Sequence, residues 1–176
     1  MLGEKMNMLK KITLTITLMV LSGNLLAAND EKQQMNSDKA QIAQVFENYM
    51  SKYNHFINKQ ELKLSPALYS EQVMLISGNG KATSLTSEKM NKGVTGFLTQ
   101  LKAKGVSKVA WETVEVKLLA DNIALASNVA VRYLANGEVY DRAGATYFIN
   151  KAATGWEISA FALHAPDNAI NFSPAI

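Results

Sequence analysis

The sequence predicts an α+β domain in which helices pack against one face of an antiparallel sheet. Apolar residues repeat at three- and four-residue spacing in residues 38–55 and 87–104, which is typical of amphipathic helices. From residue 106 onward the period changes to two, and turn-forming residues separate four runs of strand length. Helices followed by consecutive strands are typical of an α+β fold rather than an alternating α/β fold.

Residues 1–28 have the layout of a secretory signal peptide. Lys10 and Lys11 precede an apolar run at residues 12–26, and Ala27 and Ala28 supply small residues for cleavage. The run is shorter than the roughly 20 residues that a membrane span needs. We therefore expect cleavage, export to the bacterial periplasm or the medium, and no membrane attachment afterwards. A retained N-terminal anchor is the alternative.

The composition fits one globular domain, with 48% hydrophobic and 19% charged residues. The chain has a formal charge of +3, of which the first eleven residues supply the larger part. The other lysines are scattered, so we expect no nucleic-acid binding. The chain has no cysteine, which excludes disulfides, thiol catalysis and thiolate metal sites. Its two histidines, His55 and His164, lack metal-binding spacing, so we expect no metal and no cofactor.

A polar leader at residues 29–37 is expected to be loose, and the first helix follows it from about residue 38 to 55. Ser37 or Asp38 can cap this helix, since a short oxygen-bearing side chain accepts hydrogen bonds from free N–H groups of the first turn.

A short turn or helix is predicted at residues 64–70, and a hairpin comes next. Strands at residues 73–76 and 81–87 flank Gly78-Asn79-Gly80, which is typical of a tight turn rather than of a phosphate-binding loop. The second helix is expected to end at Gly105, because glycine accepts the left-handed conformation found after helix C termini.

Four strands complete the prediction, and the tail at residues 167–176 is expected to form a loop or lid. The strands are expected at residues 106–119, 123–134, 139–150 and 156–164. In residues 123–134 both faces consist mostly of apolar or small residues, whereas a sheet with one wet face alternates more cleanly. We infer that helices cover one face and that a second subunit covers part of the other, so a homodimer is expected.

The segments, taken in order, also carry a family resemblance. They are the opening helix with Phe46 and Tyr49, "ISGNG" before the second helix, "LADNIALASNVAVRY" at residues 119–133 and "DRAGATYFINKAATGWEISAFALHAP" at residues 141–166. Over residues 38–166 the chain resembles the nuclear-transport-factor-2-like superfamily, including its SnoaL-like and ketosteroid-isomerase-like members. The resemblance implies a cone-shaped, cystatin-like domain whose curved sheet wraps N-terminal helices and leaves an apolar pocket. The superfamily includes isomerases, cyclases, dehydratases, ligand binders and assembly domains, so the fold alone does not give the function.

His164 is the first candidate for a functional group. It ends the last predicted strand, with the same parity as Trp156, Ile158, Ala160 and Ala162. An imidazole titrates near neutral pH and can act as a general acid or base, and the small alanines leave room for a ligand. The alternative is a strand-end histidine hydrogen-bonded to backbone.

Arg132 and Arg142 are the only arginines. An arginine inside an apolar cone can clamp a carboxylate, and the alternative is a rim ion pair with Asp141 or Glu138. The remaining pocket candidates are aromatic. Core packing is the alternative for Trp111 and Tyr147, and Trp156 is expected to be structural. The predicted ligand-binding set is Tyr49, Tyr53, Trp111, Arg132, Tyr147 and His164.

Three hypotheses for the function follow. The first is an exported, dimeric domain that binds a small apolar or amphipathic molecule in its cone. The second is a cofactor-independent enzyme of isomerase, dehydratase or cyclase type, in which His164 moves a proton and a tyrosine or Arg132 stabilises an oxyanion. The third is a dimeric assembly module whose pocket is filled by its own side chains.

Overall fold

The computed structural model describes the backbone of residues 2–172 and the side chains of residues 30–172. The chain divides into two compact units, Met1–Asp38 and Lys39–Ile176. The side chains of the predicted signal segment lie outside the described residues. Within the part of the chain that the structure describes, no helix is both long and apolar enough to cross a membrane.

Helix α1 spans Leu2–Lys59, so it begins far earlier than the sequence predicts. Residues 30–37 are helical and exposed, and the prediction of a loose leader there is wrong. Glu, Lys and Gln favour helix, and the leader contains no glycine or proline to interrupt it. Gln34 Nε2 also donates to Asp38 Oδ2 at 3.0 Å, one turn further along.

The order of the remaining elements confirms the prediction. After α1 come β1 (Tyr69–Ile76), β2 (Ala82–Thr86), α2 (Ser87–Ala103), β3 (Val106–Ala120), β4 (Ile123–Leu134), β5 (Val139–Ala152), β6 (Gly155–His164) and a short 3-10 turn at Pro166–Asn168. Thr86 caps α2, its Oγ1 accepting from the backbone N–H of Lys89.

One curved, open sheet of six strands is formed, in the order β2-β1-β6-β5-β4-β3. Neighbouring strands are antiparallel except β1 and β6, which pair in parallel. β1 begins at Tyr69, four residues earlier than predicted. Residues next to its start are already tied to β6, since the Leu68 carbonyl accepts from the Ile158 amide at 2.9 Å.

Side chains of α1 fix its position against the edge strand β3. The Asn54 amide pairs with the backbone of Val109, donating to its carbonyl at 2.8 Å and accepting from its N–H at 2.9 Å. Trp111 Nε1 donates to the Phe46 carbonyl at 2.9 Å. The two Asn54 bonds satisfy backbone groups of the edge strand β3, and all three bonds hold α1 against the sheet.

Candidate functional site

A cavity of about 360 Å³ lies between α1, α2 and the inner face of the sheet. Its wall is mostly apolar and aromatic. All six residues that the sequence predicts as ligand contacts belong to this wall: Tyr49, Tyr53, Trp111, Arg132, Tyr147 and His164. The structure therefore brings the predicted set together, and contact with a ligand stays a prediction.

Small residues leave this space open. Gly93 lines the cavity from α2, and a Cβ atom placed there would meet no other atom within 4 Å. On the sheet, Ala130 of β4 and Ala143 and Ala145 of β5 line the opposite wall. Larger side chains at these positions would fill the volume, so the cavity is a consequence of the local sequence.

A cluster of phenols occupies one side of the cavity. Tyr49 and Tyr53 lie one turn apart on α1, and their hydroxyl oxygens are hydrogen-bonded at 2.7 Å. Tyr147 of β5 lies with its ring centroid 6.4 Å from that of Tyr49. Tyr69 of β1 is also buried, and its hydroxyl has no partner at full hydrogen-bonding geometry, although it is close enough to influence Tyr49.

All four phenols are held in the neutral form. Burial raises the pKa of Tyr53, Tyr69 and Tyr147 well above the usual value, because a buried phenolate loses its hydration. Burial also raises the pKa of Tyr49, but the other three hydroxyls and the positive charge of Arg132 act in the opposite direction. The cluster therefore consists of neutral hydroxyl donors. Among them, Tyr49 is the phenol whose ionised form the neighbouring hydroxyls and Arg132 stabilise most.

Arg132 is the ionised side chain of the wall. Its Nη1 donates to both carboxylate oxygens of Asp141, at 2.9 and 2.8 Å. Its guanidinium lies over the ring of Phe97 on α2, 5.0 Å from the centroid. Arg132 therefore forms the ion pair with Asp141 that was the alternative to a ligand contact. It also lines the cavity.

His164 does not share the orientation that the sequence predicts. Ile158 pairs with Ile149, but Ala160 pairs with Phe148, so Ser159 is an extra residue in β6. This bulge reverses the alternation of side chains. Trp156 and Ile158 are buried in the core, whereas His164 pairs with Gly144 and turns toward the outer face while still bordering the cavity.

Both ring nitrogens of His164 have partners. Nδ1 is 2.8 Å from the carbonyl oxygen of Ala165, which only accepts, so Nδ1 carries the proton. In the neutral ring Nε2 then accepts from Thr146 Oγ1 at 3.0 Å. Thr146 Oγ1 is 3.3 Å from Ser127 Oγ, which accepts from the Ile170 amide at 2.8 Å. The bond to the Ala165 carbonyl is the one that the alternative for His164 implies, and the chain of bonds also ties the C-terminal tail to the sheet.

The chain itself covers much of the outer face of β4. Ser127, Val129 and Val131 point there and are buried. The tail crosses at Ser127. Arg142 of β5 binds Glu112 of β3 at 2.9 Å, an ion pair that has to pass over β4 near Val131. A second subunit is therefore not needed to explain the apolar pattern of this part of the strand.

Two other candidates lie outside the cavity. Arg142 is half exposed in its ion pair with Glu112, rather than with Asp141 or Glu138. The His55 side chain is about a quarter exposed, and its Nε2 lies 3.7 Å from a Glu61 oxygen. Among the described residues, no group of acids or histidines has the arrangement of a metal site.

Sequence reasoning missed several residues of the site. The sequence predicts a short turn or helix at Tyr69, and the pairing of this residue with a distant strand leaves no local signal. The helical spacing of α2 predicts burial of Phe97 but gives no signal of its contact with Arg132. For Gly93 the sequence does contain a signal, because a glycine inside a helical pattern weakens the helix and often marks a packing or functional requirement.

Comparison with known proteins supports the fold. A family model described as "NTF2-like protein (DUF6841)" matches residues 38–166. An NTF2-like protein with a cystatin-like fold from Novosphingobium aromaticivorans is 13% identical with a TM-score of 0.62, the alignment covering 78% of this chain and 87% of that one.

Two further solved structures are similar, and both are of unknown function. One, with a cystatin-like fold, is from Nostoc punctiforme (10% identity, 79% of this chain, 96% of that one, TM-score 0.54). The other, NTF2-like, is from Shewanella oneidensis (19% identity, 71% of this chain, 97% of that one, TM-score 0.52). No curated protein matches the sequence. At these identities the likeness concerns the fold alone.

Proposed function

The chain belongs to this NTF2-like family, and we propose that its domain binds a small apolar or amphipathic molecule in the cavity between α1, α2 and the sheet. The observation that carries the proposal is the cavity itself. Its volume of about 360 Å³ falls within the usual range of small-molecule sites, roughly 300 to 1,000 Å³. Apolar walls with a few convergent polar groups are typical of such sites, and here those groups are the phenols and Arg132.

The same geometry favours binding over proton transfer. No aspartate or glutamate belongs to the described wall of the cavity, and both nitrogens of His164 are engaged outside it. A general base needs a free acceptor within hydrogen-bonding reach of the substrate proton. The assembly hypothesis is also less favoured, because it requires a cavity filled by the domain's own side chains.

Two matched glycine variants of α2 test the proposal. Gly93→Phe places a ring in the cavity, while Gly96→Phe adds the same ring on an exposed position outside the wall. Both replace a helical glycine, so both gain helix propensity. The neutral probe N-phenyl-1-naphthylamine, which fluoresces in apolar sites, should bind the unmodified protein and Gly96→Phe but bind Gly93→Phe at least tenfold more weakly. Equal binding by both variants, or none by the unmodified protein, contradicts the proposal.

We propose that a second copy of the chain packs on the remaining exposed part of the outer face. Leu125, Phe148, Ala160 and Met74 pair across four adjacent strands and form an apolar row there. Phe148 is 51% exposed and Met74 is 45% exposed. A two-fold dimer places the same patch on both partners, so the apolar row of one copy can be buried against the same row of the other. Sedimentation of the unmodified protein should show a dimer. Phe148→Glu should dissociate this dimer, whereas Leu64→Glu, at an exposed loop position, should leave it intact. A monomeric unmodified protein contradicts the proposal.

We also propose that residues 1–28 act as a signal peptide and that the domain works outside the cytoplasm. The support is the sequence alone, with paired lysines before an apolar run and small residues after it. Expressed in a Gram-negative host, the chain should appear in the periplasmic fraction with a new N terminus near residue 29. Leu18→Arg should retain it uncleaved in the cytoplasm. Full-length chain in the periplasm would point to an uncleaved anchor instead.

A further inference from the structure

Arg132 and Asp141 form an ion pair that is oriented across the wall of the cavity. The Arg132 side chain is 15% exposed, whereas that of Asp141 is 39% exposed. The positive partner therefore lies toward the interior and the negative partner toward solvent. Water screens the exposed carboxylate more than the buried guanidinium, so the cavity experiences a net positive field.

The bond to Asp141 leaves most of the guanidinium unused. A single nitrogen, Nη1, donates to both oxygens of Asp141. Within residues 30–172, neither Nε nor Nη2 of Arg132 has a protein acceptor. These two nitrogens form one edge of the guanidinium, and their parallel N–H groups match the two oxygens of a carboxylate. The Phe97 ring lies beside the group, 5.0 Å from its Cζ atom to the ring centroid, and limits its movement.

The rest of the wall agrees with a negatively charged guest. Burial raises the pKa of Tyr49 and Tyr147, and the positive charge of Arg132 opposes this rise at both phenols. Tyr49, Tyr53 and Tyr147 line the cavity as neutral hydroxyls. No carboxylate of the described wall competes for these donors or repels an anion from the interior.

We propose that the molecule bound in the cavity carries a carboxylate, which the free Nε–Nη2 edge of Arg132 holds while an apolar body fills the rest of the space. The inference rests on the proposed binding function and specifies the class of ligand. A monocarboxylate fits better than a phosphate dianion, because one guanidinium that already shares its charge with Asp141 cannot balance two negative charges.

The test compares acids with their neutral amides. Octanoate and 4-phenylbutanoate are each measured against octanamide and 4-phenylbutanamide by titration calorimetry and by displacement of N-phenyl-1-naphthylamine. Each pair has nearly the same size and shape, so a difference reports the charge. The unmodified protein should bind the acids at least about tenfold more tightly than the amides, as expected for hydrogen bonds to a charged group.

Variants of the ion pair separate charge from geometry. Arg132→Gln should abolish the preference for the acids over the amides of the same shape. Arg132→Lys keeps the positive charge but lacks the two parallel N–H groups of the guanidinium, so it should retain only part of the preference for acids. Asp141→Asn replaces the competing carboxylate with a neutral amide and should strengthen acid binding. The matched control is Arg142→Gln, which removes the arginine on the outer face and should leave the preference for acids unchanged.

The outcomes distinguish the two proposals. If the neutral probe and the amides bind but the acids bind no better, the carboxylate inference fails and the binding function stands. If neither the probe nor the acids bind, both fail. A preference that persists in Arg132→Gln also overturns the inference. Should Arg132→Gln not fold, Asp141→Asn decides, because unchanged or weaker acid binding in that variant contradicts a carboxylate on Arg132.

Discussion

The imidazole ring of His164 lies directly over the Cα atom of Gly144 on the outer face of the sheet. The two residues pair across β5 and β6, and a Cβ atom at Gly144 would overlap the ring and stand 2.8 Å from the Ala165 carbonyl oxygen. The backbone of Gly144 is not in the left-handed region, so space rather than conformation requires glycine there. This contact positions His164, whose bond to Thr146 is the first in the series of hydrogen bonds that reaches the C-terminal tail.

Gly144→Ala is expected to destabilise the protein by about 1 to 3 kcal/mol, the usual cost of overpacking. The added methyl group displaces the His164 ring and presses on a backbone carbonyl that cannot rotate away. Chemical denaturation measures the change. In a double-mutant cycle with His164→Ala, the two changes together should cost less than the sum of the single changes, because the overlap with the ring disappears. Strict additivity would show that the ring does not lie over Gly144.

Ser127→Ala is expected to loosen the C-terminal tail. Ser127 is fully buried, and its hydroxyl oxygen accepts from the Ile170 amide and contacts Thr146. Removing it costs about 1 kcal/mol and leaves the Ile170 N–H without its acceptor. Amide hydrogen exchange at Ile170 should become about fivefold faster. Ser107→Ala is the control, since Ser107 bonds to the Tyr133 carbonyl away from the tail; unchanged protection of Ile170 in Ser127→Ala contradicts the prediction.

The inner wall of the cavity could be predicted from the sequence because alternation along an uninterrupted strand is local. In β4, Ala124, Ala126, Asn128, Ala130 and Arg132 keep one parity, and the structure places them all on the inner face. The same reasoning failed for His164 because Ser159 adds a residue to β6. Nothing in "WEISAFALH" marks a bulge, since the extra residue is defined by the partner strand rather than by β6 itself.

The covering of the outer face also escaped sequence reasoning. The apolar pattern around Val129 and Val131 indicates burial but does not name what buries them. Ile170 of the tail lies 43 positions after Ser127, and the Arg142–Glu112 ion pair joins residues 30 positions apart, so neither contact leaves a local signal. The parallel pairing of β1 with β6 has the same origin, because it joins residues about ninety positions apart and leaves no periodic trace.

Asn128→Val is expected to stabilise the domain. Asn128 is fully buried on the inner face, and neither atom of its amide has a partner among the described residues. A buried polar group without a partner costs about 1 to 3 kcal/mol, so valine should raise the free energy of unfolding by about 1 kcal/mol or more. The control is the same substitution at Asn54, which loses two bonds to Val109 and should destabilise. A loss of stability in both variants would show that the Asn128 amide is hydrogen-bonded.

The buried phenols predict a loss of stability at high pH. Burial raises the pKa of Tyr53 and Tyr147 well above the value of 10.0 that a free phenol has. Above about pH 10 the unfolded chain loses these protons while the folded chain keeps them, so the unfolded state binds fewer protons. The free energy of unfolding must then fall as pH rises, by up to about 1.4 kcal/mol per pH unit for each phenol. Urea unfolding between pH 8 and 11 measures the slope. Tyr53→Phe and Tyr147→Phe should each make it shallower, and the double variant more so; a slope that neither substitution changes would show that these phenols ionise equally readily in both states.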